Sequence, residues 1–459
     1  MSVGSTELDL NRIVCAECTR AEALRAVAGQ GLPAIEPGMP LPAGTGLSRR
    51  SFVAKSLGLA LSVYGAGKLG LFDEGIASAA AAKPSGKILV NIFMGGGADA
   101  LSLLYPGGDP LYQQFRPTLG VEGGTAFTED PRLYWHPALA PLATLHDEGK
   151  VTVMPSIGYD HPDQSHFTSR HFWEVGATDS HLLSGWLGRY LDVVGNADNP
   201  LQGLSMTGSL SPTLATTKVP VAAIDGPGQY DFYVPGVWGS VQDRMLDALG
   251  ALGTVRSHDP SFAAAARVTA QSSTLRRQLL PFAKQGTSTP ATPYPTGDSF
   301  PQQLQGVAAM IGAGLPLHCV ALDATGSYDT HAGQVAALTP ALTTTAASLY
   351  AFQRDLEARG VADRVLTLVW SEFGRRAKEN GSGTDHGAAG TAFLIGTHAA
   401  GQQVGEYLGL AKGLDDDGNL KPSADFRAVY SSLLEQWLSF DASRVIPNAK
   451  RFQRPTLVK

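Results

Sequence analysis

Cysteine is scarce in this 459-residue sequence, which contains only Cys15, Cys18 and Cys319. A single C-x-x-C pair cannot complete a four-ligand zinc site, so we interpret Cys15 and Cys18 as a cysteine pair in a leader segment. Cys319 lies within the apolar run 317–322 and is expected to be a buried small hydrophobic residue. A chain that had lost its leader could therefore form no internal disulfide.

Concentrated charge is also missing from the sequence. The 35 Lys and Arg residues nearly balance 41 Asp and Glu residues, the net charge is -6, and no run of basic residues appears. Nucleic acid is therefore not an expected partner. The hydrophobic share of 43% is that of an ordinary globular protein, and the 53 glycines and 29 prolines predict many loops.

The moderately hydrophobic stretch Ser56–Phe72 is interrupted by several glycines and is too polar for a stable membrane span. It follows the pair Arg49-Arg50 and precedes the small residues Ala77–Ala82. This order resembles a twin-arginine (Tat) export signal, with cleavage after Ala79, Ala81 or Ala82. The alternative is an amphipathic helix that begins with two exposed arginines.

Export by this route would have three consequences. The Tat translocation machinery would be a partner, and the protein would act in the periplasm, at the cell surface or outside the cell. The chain would divide into an extension plus signal peptide, residues 1–82, and a domain of residues 83–459. No stable membrane span would remain after cleavage.

Apolar runs alternate with stripes of helical spacing in residues 83–459. The predicted strands are Lys87–Met94, Val151–Ile157, Leu317–Asp323, Val365–Trp370 and Thr391–Ile395. Their alternation with helices predicts an α/β three-layer sandwich with a mostly parallel central sheet. The interval from about 188 to 300 is rich in Gly, Pro, Ser and Thr and is predicted to be an insertion or cap on the sheet.

Polar residues able to carry chemistry lie beside the predicted strands. Because ligands collect at the carboxyl ends of the strands in such sheets, we expect these residues to lie together. Carboxylates and imidazoles at one edge are costly for stability and useful for metal or acid–base chemistry. The candidates are Asp99, Ser165, His166, Asp329, His331, Glu372, Arg375, Asp385 and His386.

The candidate metal ligands have plainer alternatives. Asp99 follows a glycine run that lets the backbone bend around a ligand, or it is an Asx-turn aspartate. Asp329 and His331 are two residues apart, so in an extended segment both side chains face the same way, as a shared metal requires. The alternative for them is a hydrogen-bond network within the loop, and the same choice applies to Asp385 and His386.

The remaining candidates are also ambiguous. Glu372 is either a metal ligand or the ion-pair partner of Arg375 or Arg376. Ser165 is either a nucleophile or the cap of a helix that begins at the next residues. His166, adjacent to it, is expected to point away from Ser165 and to orient the loop or bind substrate.

Several segments of the chain together carry a family resemblance. They are HPALAPLATLHDEGKVTVMPSIGY, DQSHF, YDTHAGQ, LVWSEFGRRAKENGSGTDHGAAG and DFRAVYSSLLEQWL. They resemble domain of unknown function 1501, a bacterial and typically Tat-exported family of the alkaline-phosphatase-like superfamily. SEFGRR with GTDHGAAG is quite specific to that family, and the resemblance runs from about Lys87 to about Leu438.

The superfamily resemblance implies a two-metal site with a serine or threonine nucleophile, for which Ser165 is the best candidate. It also implies that Arg375 could clamp a substrate oxygen. The implied ligands are Asp99, Asp329, His331, Asp385 and His386. One departure from the superfamily pattern argues against a second metal ion. The superfamily has a Ser/Thr-Asp-His-Gly pattern where this chain has Ser-Glu-Phe-Gly, so Glu372 replaces an aspartate and Phe373 cannot bind metal.

The expected function is an exported metal-dependent hydrolase of phosphate or sulfate esters, acting on a small-molecule or polymer substrate. Its cofactors would be one or two divalent ions: zinc, calcium, magnesium or manganese. The alternative is a non-catalytic periplasmic or surface binding or assembly protein that retains the alkaline-phosphatase-like fold.

Overall fold

The computed structural model describes residues 63–64, 86–226, 237–282, 290 and 292–459. The twin-arginine motif, the predicted cleavage sites and the pair Cys15 and Cys18 lie outside these residues. Cys319 is fully buried, as predicted.

A nine-stranded sheet forms the centre of the fold, with the spatial order β1-β7-β6-β8-β2-β9-β10-β5-β11. In chain order the strands are β1 (Val63–Tyr64), β2 (Ile88–Phe93), β3 (Leu104–Tyr105), β4 (Tyr134–Trp135), β5 (Val151–Gly158), β6 (Gly203–Ser205), β7 (Val221–Ala223), β8 (Cys319–Asp323), β9 (Val365–Trp370), β10 (Gly390–Ile395) and β11 (Ala424–Asp425). Strands β3 and β4 form a separate two-stranded sheet. Within the large sheet only β1 and β10 run against the other strands.

Helices cover both faces of this sheet. They are α1 (Ala100–Leu103), α2 (Tyr112–Phe115), α3 (Ala140–Asp147), α4 (His166–Val175), α5 (Trp186–Val194), α6 (Gly239–Leu252), α7 (Pro260–Leu279), α8 (Ser299–Gly312), α9 (Gln334–Ala358) and α10 (Phe426–Ser432). Val90 and Ile92 of β2 pack with α3, α8 and α9, whereas Leu89 and Phe93 pack with α4, α5 and α10. This alternation gives the three-layer, mostly parallel α/β sandwich that the sequence predicts.

Strands β2 and β9 lie side by side in the middle of the sheet, and every residue of both is buried. A strand buried on both faces needs a continuous apolar run rather than an alternating one. The runs 88–93 and 365–370 meet this requirement, which explains why the sequence predicts them to within one residue.

The interval predicted to be an insertion contains two different parts. Residues 203–223 contribute β6 and β7 to the central sheet, and this revises the interpretation of 188–300 as an insertion throughout. Three-residue strands give no apolar run that a sequence pattern can distinguish from a loop. Further along, α6 and α7 form a helical hairpin.

Within the described residues, α9 is the one helix that is long and apolar enough to cross a membrane by length and composition. It packs against α3 and α8, and half of its most apolar window is buried. The core helix of a soluble domain satisfies the same test, so α9 is described here as a core helix.

Candidate metal centre

Five loops meet at one edge of the sheet. The loops after β2, β5, β8 and β9 leave their strands there, since these strands are parallel. The fifth loop, residues 384–389, leads into β10. Because β10 runs antiparallel to β9, its first residue lies at the same edge as the last residue of β9.

Three histidines and one carboxylate converge at this edge. Asp329 Oδ1 lies 3.2 Å from His331 Nε2 and 3.5 Å from His386 Nε2, and Asp329 Oδ2 lies 3.5 Å from His166 Nε2. His331 Nε2 and His386 Nε2 are 2.9 Å apart. Ligand atoms about 2.0–2.2 Å from a tetrahedral metal are themselves about 3.3–3.6 Å apart, so these atoms are spaced to surround one ion. The ligand atoms of His166, Asp329 and His386 all lie within 4.8 Å of one another, so these three could hold an ion. His331 is not part of that group and lies beside Asp329 and His386.

Glu372 lies behind this group and is almost fully buried. Its carboxylate accepts hydrogen bonds from the amides of Gly96 and Gly97 and from the Ser371 hydroxyl. It also contacts His166 Nδ1 at 2.8 Å. Four donors of this kind match an ionised carboxylate, which only accepts. Glu372 therefore orients a histidine from behind, a role that neither sequence-based alternative included.

Two histidines have the tautomer that metal binding requires. His166 Nδ1 faces the Glu372 carboxylate, and His386 Nδ1 lies 2.8 Å from the Gln164 carbonyl oxygen. Since both partners only accept, each Nδ1 carries a proton, and in the neutral form of either ring Nε2 is the bare nitrogen. His166 Nε2 is buried without a hydrogen-bond partner among the described residues. Holding the distal nitrogen in this way is usual for metal-binding histidines.

The electrostatics favour the same protonation states. Burial disfavours ionisation of Asp329, but the hydrogen bond and charge of Arg375 outweigh it and hold the pKa of Asp329 below its usual value. Burial lowers the pKa of His386 and, with the charge of Arg375, outweighs the hydrogen bond to the Gln164 carbonyl oxygen, which raises it. An ionised carboxylate then faces a neutral imidazole, which are the forms that bind a metal ion.

The glycine run 95–97 allows the loop after β2 to pass close to this group. Gly97 has φ of +73°, and a Cβ there would lie 2.3 Å from the Phe373 ring. Phe373 is buried and packs with its centroid 4.9 Å from the His166 ring and 4.8 Å from the His386 ring. An aromatic wall, rather than a further ligand, thus flanks the two histidines.

Arg375 is fully buried, and its guanidinium is committed to the protein. It donates to the carbonyl oxygens of Gly97 and Thr384 at 2.8 and 2.9 Å, and to Asp329 Oδ1 at 2.6 Å. It also donates to the Gly96 carbonyl oxygen. These contacts give Arg375 a scaffold role in place of the substrate clamp that the resemblance implied.

Asp385 lies at the exposed rim of the group. Its Oδ1 accepts a hydrogen bond from Asn380 at 2.9 Å and lies 3.4 Å from His331 Nδ1. The Asn380 hydrogen bond is the main reason why the pKa of Asp385 is below its usual value. The aspartate therefore contacts the back of His331, while the adjacent His386 faces the centre.

Asp99 is placed differently from the expectation. It is fully buried and forms a two-pronged ion pair with the buried Arg116, at 2.7 and 3.0 Å. Its carboxylate also accepts hydrogen bonds from Ser102 and Gln334. Burial opposes ionisation, but Arg116 and these donors outweigh it and hold the pKa of Asp99 below its usual value. With four donors around it, Asp99 does not join the converging group.

Gln334 connects this buried ion pair to both ligand loops. Its Nε2 donates to Asp99 Oδ2 at 2.6 Å and to Ser102 Oγ at 3.2 Å. Its Oε1 accepts hydrogen bonds from Thr330 at 3.0 Å and from Thr384 at 2.6 Å. Thr330 lies between Asp329 and His331, and Thr384 directly precedes Asp385. One amide therefore fixes the two loops relative to each other.

Ser165 occupies the N-cap position of α4, but its side chain makes no capping hydrogen bond. Its backbone N–H donates to Asp163 Oδ1 at 2.7 Å. Within the described part of the chain, no hydrogen bond involves the Ser165 hydroxyl. Because Gln164 contacts His386 and the next residue is His166, the serine is held between two of the converging histidines.

The sequence patterns missed several residues that build this centre. Gln334 and Asn380 belong to the quoted segments YDTHAGQ and LVWSEFGRRAKENGSGTDHGAAG, so their positions inside those segments were the available signal. Arg116 lies outside every motif and gave none. His166 was expected to orient the loop or bind substrate, and the structure places it among the converging side chains.

A family model described as "Protein of unknown function (DUF1501)" matches residues 242–421. The resemblance seen in the motifs is thereby confirmed for this part of the chain. No curated protein matches the sequence.

Three of the solved structures that are similar to this chain in fold are a transferase, a zinc complex and a sulfatase. The soluble domain of lipooligosaccharide phosphoethanolamine transferase A from Neisseria meningitidis is 11% identical, with a TM-score of 0.34, and the match covers 82% of this chain and 96% of that one. The periplasmic domain of EcEptC from Escherichia coli, a complex with Zn, is 11% identical with a TM-score of 0.34, covering 83% and 94%. The PsFucS1 sulfatase from Pseudoalteromonas sp. is 9% identical with a TM-score of 0.31, covering 81% and 73%. At such values the function has to be argued from this chain's own side chains.

Proposed function

We propose that this protein is a metal-dependent hydrolase of phosphate or sulfate esters. The observation that carries the proposal is the convergence of His166, His331 and His386 Nε2 on the Asp329 carboxylate. Imidazole nitrogens and carboxylate oxygens are metal ligands, and a cation bound among them would be attracted to each. His331 and Asp329 are 48% and 39% exposed, so a bound ion would remain accessible to a substrate from their side.

The donor set favours zinc or another transition metal over calcium and magnesium. Imidazole nitrogens suit the former ions, whereas calcium and magnesium prefer six or more oxygen ligands. The ligand set that we propose is His166, His331, His386 and Asp329. It leaves out Asp99, whose charge Arg116 already neutralises, and Glu372, which holds His166.

The metal would supply positive charge for the oxygens of a phosphoryl or sulfuryl group. The protein's own contribution is to hold Ser165 beside these histidines with a hydroxyl free of other hydrogen bonds within the described residues. An unactivated serine is a weak nucleophile at neutral pH, so Ser165 can attack only if its hydroxyl faces the ion. His166 would hold the ion through its Nε2, and Glu372 fixes the His166 ring through its Nδ1.

A second candidate function is binding without turnover. The observation in its favour is that Phe373 and the committed guanidinium of Arg375 occupy positions where a two-metal hydrolase would need a ligand and an anion clamp. Such a protein would bind one metal and an anionic group and release them unchanged.

Metal analysis of the purified protein tests both functions. We expect about one equivalent of zinc or a similar ion, lost in His166→Ala and in His386→Ala but retained in His171→Ala, whose imidazole bonds instead to the Asp179 carbonyl. Turnover of a generic aryl phosphate and an aryl sulfate, measured with the same samples, separates hydrolysis from binding. Wild-type protein that binds no metal after dialysis against zinc would refute the metal centre.

We further propose that the protein is exported through the Tat route, because Arg49-Arg50, the apolar stretch and the small-residue site occur in the order that this route requires. A protein that folds before export can acquire its metal in the cytoplasm. It also needs no disulfide, which fits a domain whose described residues contain Cys319 alone.

A further inference from the structure

Exposed apolar side chains are concentrated on one helical hairpin. Of the eleven large hydrophobic residues that are exposed in the described part of the chain, six fall within residues 238–262. They are Trp238, Val241, Met245, Leu252, Val255 and Phe262, with 79%, 47%, 45%, 61%, 50% and 55% exposed. Exposed apolar residues scattered singly need no explanation, whereas a group of this size marks an interaction surface.

Three of these residues form a stripe along α6, and Trp238 directly precedes the helix as its N-cap. Val241, Met245 and Leu252 follow one another at steps of four and seven residues, which place them on one face of the helix. The buried Leu246 lies on a different face. Since Gly250 approaches Ser273 so closely that a Cβ there would lie 2.3 Å from its hydroxyl oxygen, that face packs on α7. The stripe points away from the partner helix.

The acidic residues of the hairpin are already engaged. Asp243 forms an ion pair with Arg276 at 2.5 Å, and Asp247 lies 4.0 Å from the same guanidinium. Asp259 accepts a hydrogen bond from the Phe262 amide at the start of α7. Asp243 and Asp247 therefore pair within the hairpin, although 59% and 64% of their side chains remain exposed.

Three guanidiniums of the hairpin have neither a carboxylate nor a hydrogen-bond partner among the described residues: Arg244, Arg256 and Arg267. Arg244 precedes Met245 of the stripe directly, and the other two line a cavity of about 650 Å³ at the tip of the hairpin. His258 lines the same cavity, and Asp198 is its one acidic residue. In a chain with a net charge of -6, this outward surface is locally basic.

We propose that the α6–α7 hairpin docks the protein on an anionic lipid surface. The stripe of α6 enters the interface between headgroups and acyl chains, with Trp238 at its end, and the arginines contact lipid phosphates. The combination of an apolar helix face with unpaired basic residues defines this partner. A second copy of the chain is disfavoured as the occupant, because two hairpins packed on their stripes would bring their unpaired arginines together.

Vesicle flotation of the full-length chain tests this inference. The probes are vesicles of phosphatidylcholine alone and of phosphatidylcholine with phosphatidylglycerol. We expect the wild type to bind the anionic vesicles, and added salt should weaken this binding. The triple variant Trp238→Ser, Met245→Ser, Leu252→Ser should lower the affinity for these vesicles about tenfold or more. Arg244→Gln and Arg256→Gln should each weaken it by about fivefold.

A control variant removes three exposed apolar residues outside the hairpin: Leu183→Ser, Val335→Ser and Leu408→Ser together. This variant should bind anionic vesicles like the wild type. Equal binding to neutral and anionic vesicles, or none to either, would overturn the proposal. So would a wild-type dimer in light scattering that the hairpin triple variant converts to a monomer, because the stripe would then be an interface between copies.

Discussion

The clearest test of how the metal centre is held together is the substitution Gln334→Leu. Gln334 is 1% exposed and makes four hydrogen bonds, two to the ligand loops and two to the buried layer around Asp99. Leucine has nearly the same volume but none of these hydrogen bonds. Thr330 and Thr384 would each lose the acceptor that fixes the loop on which metal ligands lie.

The structure allows the magnitude to be worked out in two parts. A buried polar group left without a partner lowers the free energy of unfolding by about 1–3 kcal/mol, and more when the group is charged, so we expect a loss of about 3 kcal/mol. Residues that support metal ligands from behind typically change affinity by about 10–100-fold, and a change of this size is expected for zinc.

The matched control is Gln353→Leu. Gln353 lies on the same helix, is 3% exposed and donates to Glu357 Oε1 at 2.8 Å, far from the ligand loops. Urea unfolding of the metal-free proteins gives the stability of each variant, and competition with a chromophoric chelator gives the zinc dissociation constant. We expect Gln353→Leu to lower stability and leave the zinc affinity unchanged.

The reasoning is refuted if both variants bind zinc as tightly as the wild type while Gln334→Leu is destabilised. Gln334 would then be an ordinary buried amide with no influence on the centre. A wild type that binds no zinc would instead refute the proposed metal centre itself, so the two failures can be told apart.

Three further predictions follow from the buried ion pair, the serine and the leader. Asp99→Asn should lower the free energy of unfolding at pH 7 by about 3–5 kcal/mol, because it leaves Arg116 buried and uncompensated. Since the pKa of Asp99 is depressed in the folded state, the wild type should lose this advantage as the pH falls below about 3.9. Equal pH profiles of the two proteins in urea unfolding would contradict the assignment. Ser165→Ala should abolish ester turnover while metal content and melting temperature stay nearly unchanged, and retained turnover would rule out covalent catalysis by that residue. Arg49→Lys with Arg50→Lys should block export, and mass spectrometry of exported protein that still begins at Met1 would contradict cleavage.

The central strands were predictable because their environment imposes a simple rule. β2 and β9 are buried on both faces, all of their residues except Asn91 and Thr367 are apolar, and the pattern locates both strands. The same burial explains the correct expectation for Cys319 in β8. A strand that is buried along its whole length produces a run of apolar residues, and such a run can be recognised in a single sequence.

Short strands and strand direction left no such signal. β6 and β7 have three residues each and lie in a stretch rich in Gly, Pro, Ser and Thr, so nothing in the pattern separates them from loops. The antiparallel direction of β10 depends on the path of residues 371–389, which a periodicity does not record. Yet this direction is what places His386 at the same edge as the loop after β9.

The three carboxylates Asp99, Asp329 and Glu372 show why roles within the centre could not be assigned from sequence. All three follow strands and all three lie near the same edge, but each has a different set of donors. Asp99 accepts hydrogen bonds from Arg116, 17 residues away in the sequence, and from Gln334, 235 residues away. Its charge is therefore neutralised within the core. Glu372 accepts hydrogen bonds from backbone amides that are 275 and 276 residues away in the sequence, and it also contacts a histidine.

Asp329 differs because its one strong donor, Arg375, leaves its oxygens facing three imidazole nitrogens, two of which are held as bare lone pairs. Three carboxylates, Asp329, Asp385 and Glu372, lie at this edge. Arg375 pairs directly with Asp329, while the charges of Arg376 and Arg170 act on Asp385 and Glu372. The role of each carboxylate therefore depends on which hydrogen-bond donors the fold brings to it. The local sequence around a carboxylate does not show where those donors lie.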